Sequence, residues 1–307
     1  MKKAALLTFT ALLLAASPAL AKPKIFITLS RNDDNFLGIM RASLDAEAAR
    51  RTDLDIRVDH AGNNADTQIQ QVRDAIAAKS DVIVVLSVSA DVARTVTKDT
   101  AQAGVPLVFL NRLPPIDRFD GKVAIVASND LVAGRLQMRF LSRQIGDQGN
   151  IVILRGEDGH PAARDRTIGV KEIVATKPGI KIVREATGNW RREEAEALVT
   201  QWLDEGVVID AIASNNDEMA RGAIAALQKR GYKPGQIAIG GVDGTDYALD
   251  AIKSGWLTMS LLQNAQAQAS LALDDAAKFA NGDYAQLYDW VPYQIIIPSN
   301  VDQFAAK

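Results

Sequence analysis

Seven residues near the start of the chain, Ser30-Arg31-Asn32-Asp33-Asp34-Asn35-Phe36, carry two carboxylates, two amides and an aromatic ring. They follow an apolar run, Lys24–Leu29, and precede a segment of helical spacing, Leu37–Arg50. Similar groups follow the other apolar runs: Ser87 and Ser89 after Asp81–Leu86, Asn111 and Arg112 after Val105–Leu110, and His160, Arg164 and Arg166 after Asn150–Arg155. Further along, Asn189 and Trp190, then Asn215 and Asn216, then Asp243, then Gln263 hold the same kind of place. Each hydroxyl of a polyhydroxylated ring donates one hydrogen bond and accepts others. Carboxylates accept from it, Arg and Asn donate to it, and the charge-assisted bonds are the stronger ones. Aromatic faces cover the C–H faces of such a ring. The set suits a sugar or a cyclitol.

Elements must bring these groups together. The apolar runs Lys24–Leu29, Leu54–Asp59, Asp81–Leu86, Val105–Leu110 and Val123–Ser128 alternate with helical patterns at Leu37–Arg50, Asp66–Lys79 and Ala90–Ala103. Continuous apolar strands suit a parallel sheet covered on both faces, and the alternation implies right-handed βαβ units. The second half repeats the pattern. Strands are expected at Asn150–Arg155, Ile180–Glu185, Asp210–Ser214, Gln236–Val242 and Leu257–Leu262. Helices are expected at Leu131–Ile145, Ala162–Thr176, Arg192–Glu205, Asp217–Arg230 and Asp246–Ser254. One more helix, Ala265–Ala280, and one strand, Trp290–Ile297, complete the chain. The fold class is α/β, with two doubly wound parallel-sheet lobes and no Gly/Ser/Pro-rich linker. Ligands in such sheets sit beyond the carboxyl ends of the strands. Neither lobe alone supplies the full set, so a cleft that closes on the ligand is expected.

The chain begins with Lys2 and Lys3, an apolar run at Ala4–Ala16 and a small-residue Ala19-Leu20-Ala21 cleavage pattern. This reads as a secretory leader over residues 1–21, since the run is too short to span a membrane. Its removal leaves 33 basic against 37 acidic residues, which favours neither nucleic acid nor an anionic membrane. Cysteine is absent, which excludes disulfides, Cys-ligated zinc, thiol catalysis and a lipoprotein anchor. With 48% apolar residues there is ample chain for ordinary hydrophobic cores.

The motifs resemble those of type I periplasmic monosaccharide-binding proteins that feed ABC importers, the galactose/glucose, ribose and inositol binders. Asp33–Phe36 (DDNF) matches the first-strand motif of the galactose/glucose type. Gly156–Val170 matches segments of both the galactose and ribose types, and Val105–Arg112, Asn215–Leu227 and Gly240–Gly255 match family segments. The resemblance covers essentially the whole chain after the leader. It implies polar ligand contacts at Asp34, Asn111, Arg166, Asn216, Asp243 and Gln263, and rings on either side of the ligand at Phe36 and Trp190. It implies ribose-type contacts at Arg112 and Arg164 and a galactose-type neighbour at His160. Asp33 and Ser87 stand as further candidates. Three crossings near Ala127–Asp130, Gln263–Ala265 and Pro292–Ile295 would form a hinge. The lobes would then comprise residues 22–128 with 264–292, and 129–263 with 293–307.

The departures from the family bear on the ligand. Ala162 stands where galactose/glucose binders carry a carboxylate, and Leu37 replaces the second Phe of the ribose type. Gly146–Asn150 has one carboxylate and no room for a 12-residue calcium loop. The DDNF start favours a six-membered ring. Ala162 with Arg164 is compatible with a cyclitol such as inositol, and Asp33, Asp34 and Asp243 could meet the ammonium of a rhizopine-type aminated inositol. Aldoses remain open beside cyclitols. No cofactor and no metal are expected, and the partners implied are an inner-membrane ABC permease and a chemoreceptor, met by a periplasmic monomer.

Plainer readings stand beside these. Asp33 suits a helix N-cap, His160 a structural histidine, and Asp217 and Glu218 a helix N-terminus. Two cations at one helix start, Arg164 and Arg166, oppose the dipole, so at least one is expected to meet the ligand. A glycosidase carboxylate pair would need catalytic geometry, yet no nucleophile elbow, phosphate loop or metal cluster accompanies it. A repressor would need a helix-turn-helix and a basic footprint, which the leader replaces.

Overall fold

The computed structural model describes residues 21–32 and 35–304. Residues 1–20 of the expected leader, and the candidate ligand groups Asp33 and Asp34, lie outside the described residues. Strands and helices alternate as β1 (Lys24–Leu29), α1 (Asn35–Arg50), β2 (Asp55–His60), α2 (Ala65–Ala77), β3 (Val82–Val85), α3 (Ala90–Ala103), β4 (Leu107–Asn111) and β5 (Val123–Ala127). The alternation resumes with α4 (Asp130–Gln144), β6 (Gln148–Arg155), α5 (Pro161–Ala175), β7 (Gly179–Thr187), α6 (Arg192–Asp204) and β8 (Ala211–Ser214). Next come α7 (Asp217–Lys229), β9 (Ala238–Gly240), α8 (Asp246–Lys253), β10 (Ser260–Leu262), α9 (Ala265–Ala280), β11 (Tyr288–Trp290) and β12 (Gln294–Ile296).

The first sheet runs β11-β5-β4-β3-β1-β2, with every pair parallel. The second runs β7-β6-β8-β9, also parallel. Parallel bridges Gly240–Met259 and Asp243–Leu262 carry it on to β10, which pairs antiparallel with β12. With that extension the two lobes share one strand order. Each reverses direction beside its first strand, between β1 and β3 and between β6 and β8, and those are the switch points where α/β sheets open a crevice.

Side chains alternate across each strand, so each sheet buries two faces. In β1, Ile25, Ile27 and Leu29 pack with Met40 and Leu44 of α1 and Ala272 and Leu273 of α9. Phe26 points the other way, into Val72 of α2 and Val92 and Val96 of α3. In β6, Val152 and Leu154 join the α6–α8 side, while Ile151 and Ile153 join Met138 of α4 and Val170 of α5. A one-residue slip would exchange the two faces, so these cores fix the register that aims the strand ends.

One expected strand divides. Trp290–Ile297 is two strands in two sheets: Trp290 ends β11 beside β5, and Gln294 opens β12 beside β10. Pro292 lies between them and has no N–H to give a ladder. The expected strands Gln236–Val242 and Leu257–Leu262 shorten to three residues each. Here the backbone passes close to a buried carboxylate: a Cβ on Gly241 would meet Asp217 Oδ1 at 2.1 Å. The chain passes between the lobes after β5, after β10 and after β11.

Candidate functional site

The carboxyl ends of both sheets face one cavity. Arg31, Phe36, Leu37, Asn111 and Arg112 line it from the first lobe. Glu157, His160, Ala162, Arg166, Trp190, Asn216, Asp243 and Gln263 line it from the second. It encloses about 490 Å³ of non-atom space when the open solvent at its mouth is counted. Two contacts close it across the mouth: Arg31 Nη1 lies 3.4 Å from Glu157 Oε1, and Asn35 Nδ2 donates to Glu218 Oε1 at 3.1 Å. The lobes therefore touch at these two points.

Arg166 is held by several bonds at once. Two glycines bring its helix close to α4: a Cβ on Gly134 would lie 2.0 Å from Arg166 O, and one on Gly169 would lie 2.4 Å from Leu131 O. That approach sets Arg166, 4% exposed, against Asp130 in the first turn of α4. Arg166 Nε donates to Asp130 Oδ1 at 2.8 Å and Nη1 to Asn215 O at 2.7 Å. Nη2 donates to Gln263 Oε1 at 3.1 Å and to Tyr293 Oη at 3.0 Å. Four of the five guanidinium N–H groups are thus committed, leaving one on Nη1. Asp243 Oδ1 lies 3.8 Å from that atom. Burial lowers the Arg166 pKa, but Tyr293, Asp130 and Asp243 raise it further, so the net shift is upward and the group stays charged.

Three wall residues other than glycine sit at positive φ: Asn111 at 67°, Trp190 at 65° and Asp243 at 124°. Such conformations cost about 1–3 kcal/mol each and persist where their surroundings fix them, often at binding sites. Trp190 follows Asn189, itself at φ 51°, in the turn before α6. Its ring lies against Gly156, where a Cβ would come within 2.1 Å of Cζ2. His160 meets the same ring edge-on, with centroids 5.0 Å apart and planes at 76°. Arg166 Cζ lies 5.8 Å from its centroid.

The remaining groups are held in place and keep capacity in reserve. Asn111 Nδ2 donates to Gln268 Oε1 at 3.0 Å, which leaves its Oδ1 for a donor. Gln263 spends Oε1 on Arg166 and keeps its Nε2. Asn216 caps α7 by accepting from Met219 N, and its amide reaches Trp190 O at 3.4 Å. Arg112 Nη1 donates to Ser87 O at 2.7 Å.

The structure brings Phe36, Asn111, Arg112, His160, Arg166, Trp190, Asn216, Asp243 and Gln263 of the sequence candidates together around one cavity. Arg164 is a correction. Two residues apart on a helix do not share a face, and with Arg166 turned inward, Arg164 points out. Its side chain is 62% exposed and paired with Asp165 at 2.7 Å. Ser87 is buried and lines an adjoining cavity instead, which shares Arg112, Glu157 and His160 with the main one. Arg31 and Glu157 were missed by the sequence reading. Their positions just after β1 and β6 were the available signal, but an Arg and a Glu there read equally well as solvated turn residues. Asp130 and Tyr293, which hold Arg166, carry no local signature at all.

Two buried titrating groups give opposite pH dependences. Burial, then the charges of Arg112 and Arg166, hold the His160 pKa well below its usual 6.5. Its Nδ1 accepts from Ala162 N at 3.2 Å, so the neutral ring carries its proton on Nε2. Burial pushes Asp217 up to about 7, against the bonds it accepts from Ser260 and Thr245. For His160 the unfolded chain binds more protons below 6.5, so its contribution is present above that pH and is lost below it. For Asp217 the folded chain binds more protons between about 4 and 7, so stability falls as pH rises through that window. Thermal unfolding followed from pH 4 to 8 is expected to steepen on the acid side in Asp217→Asn, where the opposing Asp217 dependence is gone and that of His160 stays. An unchanged profile in that variant would contradict the assignment.

Among the described residues no helix is long and apolar enough to cross a membrane. Most of the chain is similar to solute-binding proteins. A Rhizobium meliloti protein provisionally named as rhizopine-binding is 37% identical over 278 residues, 90% of this chain and 90% of that one. A xylitol-binding protein of Mycolicibacterium smegmatis is 31% identical over 255 residues, 83% of this chain and 72% of that one. The crystal structure of an ABC transporter solute-binding protein from Bacillus halodurans C-125, with bound myo-inositol, superposes with a TM-score of 0.87. It is 33% identical and the match covers 94% of this chain and 99% of that one. The profile of the periplasmic binding protein domain matches residues 25–283, and the chain belongs to that family.

Proposed function

We propose that this protein captures a cyclitol or monosaccharide in the periplasm and delivers it to an ABC importer, with inositol or a rhizopine-like amino-inositol as the favoured ligand. The observation that carries the reading is the cavity itself. A ring from each lobe, Phe36 and Trp190, stands among planar groups that keep unspent donors and acceptors, Asn111, Arg166, Asn216 and Gln263. The xylitol-, rhizopine- and myo-inositol-binding relatives support a polyol of this size. Ala162 on the wall supports the choice of a cyclitol, because it leaves no carboxylate for a ring-end hydroxyl there. Glu157 and Asp243 at the cavity, with Asp33 and Asp34 between Arg31 and Phe36 in the sequence, favour an ammonium on the ring. Arg164 lends nothing to this choice, since it faces away. Arg112, which does line the cavity, supports a hexose or pentose as the second reading.

The relatives are binding proteins, and the role assigned here is binding without turnover. The leader, the monomeric state, the lobe boundaries at 128/129, 263/264 and 292/293, and a chemoreceptor as a second reader of the closed form belong to the same proposal. In the proposed cycle the open form admits ligand, bonds to both lobes favour closure, and the permease reopens the cleft.

Calorimetry of ligand-stripped mature protein against myo-inositol, scyllo-inositol, an amino-inositol, glucose, galactose and ribose tests this. The expected result is tightest binding of a cyclitol, with the amine preferred. Tight binding of an aldose alone would overturn the cyclitol choice, and silence across the panel would overturn the ligand class.

A further inference from the structure

The adjoining cavity that Ser87 lines is a second space between the lobes, and capture of a single ring does not require it. Its first-lobe walls are the turn between β3 and α3 and the segment after β4; its second-lobe wall is the turn between β6 and α5. Counted in the same way, with open solvent included, it encloses about 770 Å³ against about 490 Å³ for the main cavity. The two share Arg112, Glu157 and His160 as lining residues. A group on a ring in the main cavity that points past these three residues therefore enters the second.

The lining has groups for hydroxyls and for the apolar faces of a ring. Ser87 is 4% exposed, and none of the described residues bonds its Oγ. A buried hydroxyl is seldom left in that state. His160 Nδ1 accepts from Ala162 N, and its Nε2–H has no partner among the described residues. Val88, Leu113 and Pro161 supply apolar surface beside these groups. Arg112 Nη1 donates to Ser87 O at 2.7 Å and to Val88 O at 3.3 Å, which ties down the turn that forms one wall. The carboxylates of the lining are already paired: Asp91 with Arg94 at 2.6 Å, Asp158 with Arg155 at 3.0 Å and Glu157 with Arg31 at 3.4 Å. Asp91 and Asp158 are largely exposed and place the outer end of the cavity in solvent. With its charged groups engaged, the cavity can still satisfy hydroxyls, each of which donates one bond and accepts others, and it can cover C–H surface. That mixture of a mostly apolar wall and a few polar groups is the make-up of a small-molecule site.

We propose that this cavity is a subsite for a second polyhydroxylated ring, so that the protein accepts a glycosylated cyclitol or sugar as well as the single ring. The first ring takes the main cavity, the glycosidic oxygen passes beside Arg112 and His160, and the second ring meets Ser87. The proposal rests on the main cavity being the ligand site.

Calorimetry of the ligand-stripped protein compares myo-inositol with its monogalactosides, linked in turn through each ring hydroxyl and including galactinol. At least one galactoside is expected to bind within tenfold of myo-inositol. Ala90→Trp fills the second cavity from a residue that does not line the main one. It is expected to weaken that galactoside at least tenfold and to leave myo-inositol within twofold of wild type. Pro115→Trp, from the other first-lobe segment, is expected to do the same and serves where the first variant does not fold. Where wild type takes an aldose in place of myo-inositol, the monogalactosides of that aldose are the probes, so the choice of first ring and this proposal fail separately. Silence toward every single ring would remove the main cavity as the ligand site and this proposal with it. If each galactoside bound more than tenfold weaker than the single ring, the subsite would be refuted. Tryptophan variants that weaken both ligands alike, or neither, would overturn it as well.

Discussion

Arg166→Met is expected to abolish measurable ligand binding and to cost the fold about 3–5 kcal/mol, the range for removing one partner of a buried ion pair. Methionine fills most of the space but leaves Asp130 and Asp243, both under a tenth exposed, without their cation. Tyr293 Oη, Gln263 Oε1 and Asn215 O lose a donor at the same time. Arg166→Lys keeps the charge but not the fork, since an ammonium is a point charge with three donors and cannot span the same set. It should recover part of the stability and little of the binding. Calorimetry with the ligand identified by the panel, alongside urea unfolding, gives both numbers. Binding within tenfold of wild type in the methionine variant would mean that the guanidinium does not face the ligand.

Gly156→Ala is expected to weaken binding about 10- to 100-fold, although the glycine carries no side chain to touch anything. The added Cβ would fall within 2.1 Å of Cζ2 and 2.2 Å of Cη2 of Trp190. The indole has to move, because Gly156 directly follows β6, a strand paired on both sides. Overpacking of this kind costs about 1–3 kcal/mol, and here the displaced group is a wall of the cavity. Trp190→Ala should lose a similar amount, and the double variant should lose no more than Trp190→Ala alone, since the clash disappears with the ring. Additive losses would show that Gly156 acts by another route.

The site was legible where function follows from position along a strand. A polar or aromatic residue directly after an apolar parallel strand must emerge at one end of its sheet, so spacing put Asn111, Asn216 and Asp243 among the candidates and the family resemblance selected them. Helical positions were less secure. Arg164 and Arg166 share a motif and a charge, and only the Gly134–Gly169 contact between α4 and α5 decides which of them turns inward. The misreading of Trp290–Ile297 has the same origin. The run is apolar apart from Gln294, and which sheet each half joins depends on partners, β5 and β10, that stand more than 30 residues away. Asp130 and Tyr293 lay beyond reach because they touch the cavity only through another side chain. Arg31 and Glu157 differ again: as a pair across the mouth they have meaning only when the two lobes meet.

The shared strand order of the lobes has a consequence for how affinity is set. Each lobe offers its own switch point, so one small molecule is gripped by two half-sites, neither complete. In that sense the protein is a bivalent receptor folded into a single chain. Once the ligand rests on one half, the other arrives at an effective concentration fixed by the three crossings rather than by diffusion. Stiffness and length in those few residues can then raise or lower affinity for every accepted ring together, while the wall residues decide which rings are accepted. Tightness and selectivity are, in this architecture, written in different places in the sequence.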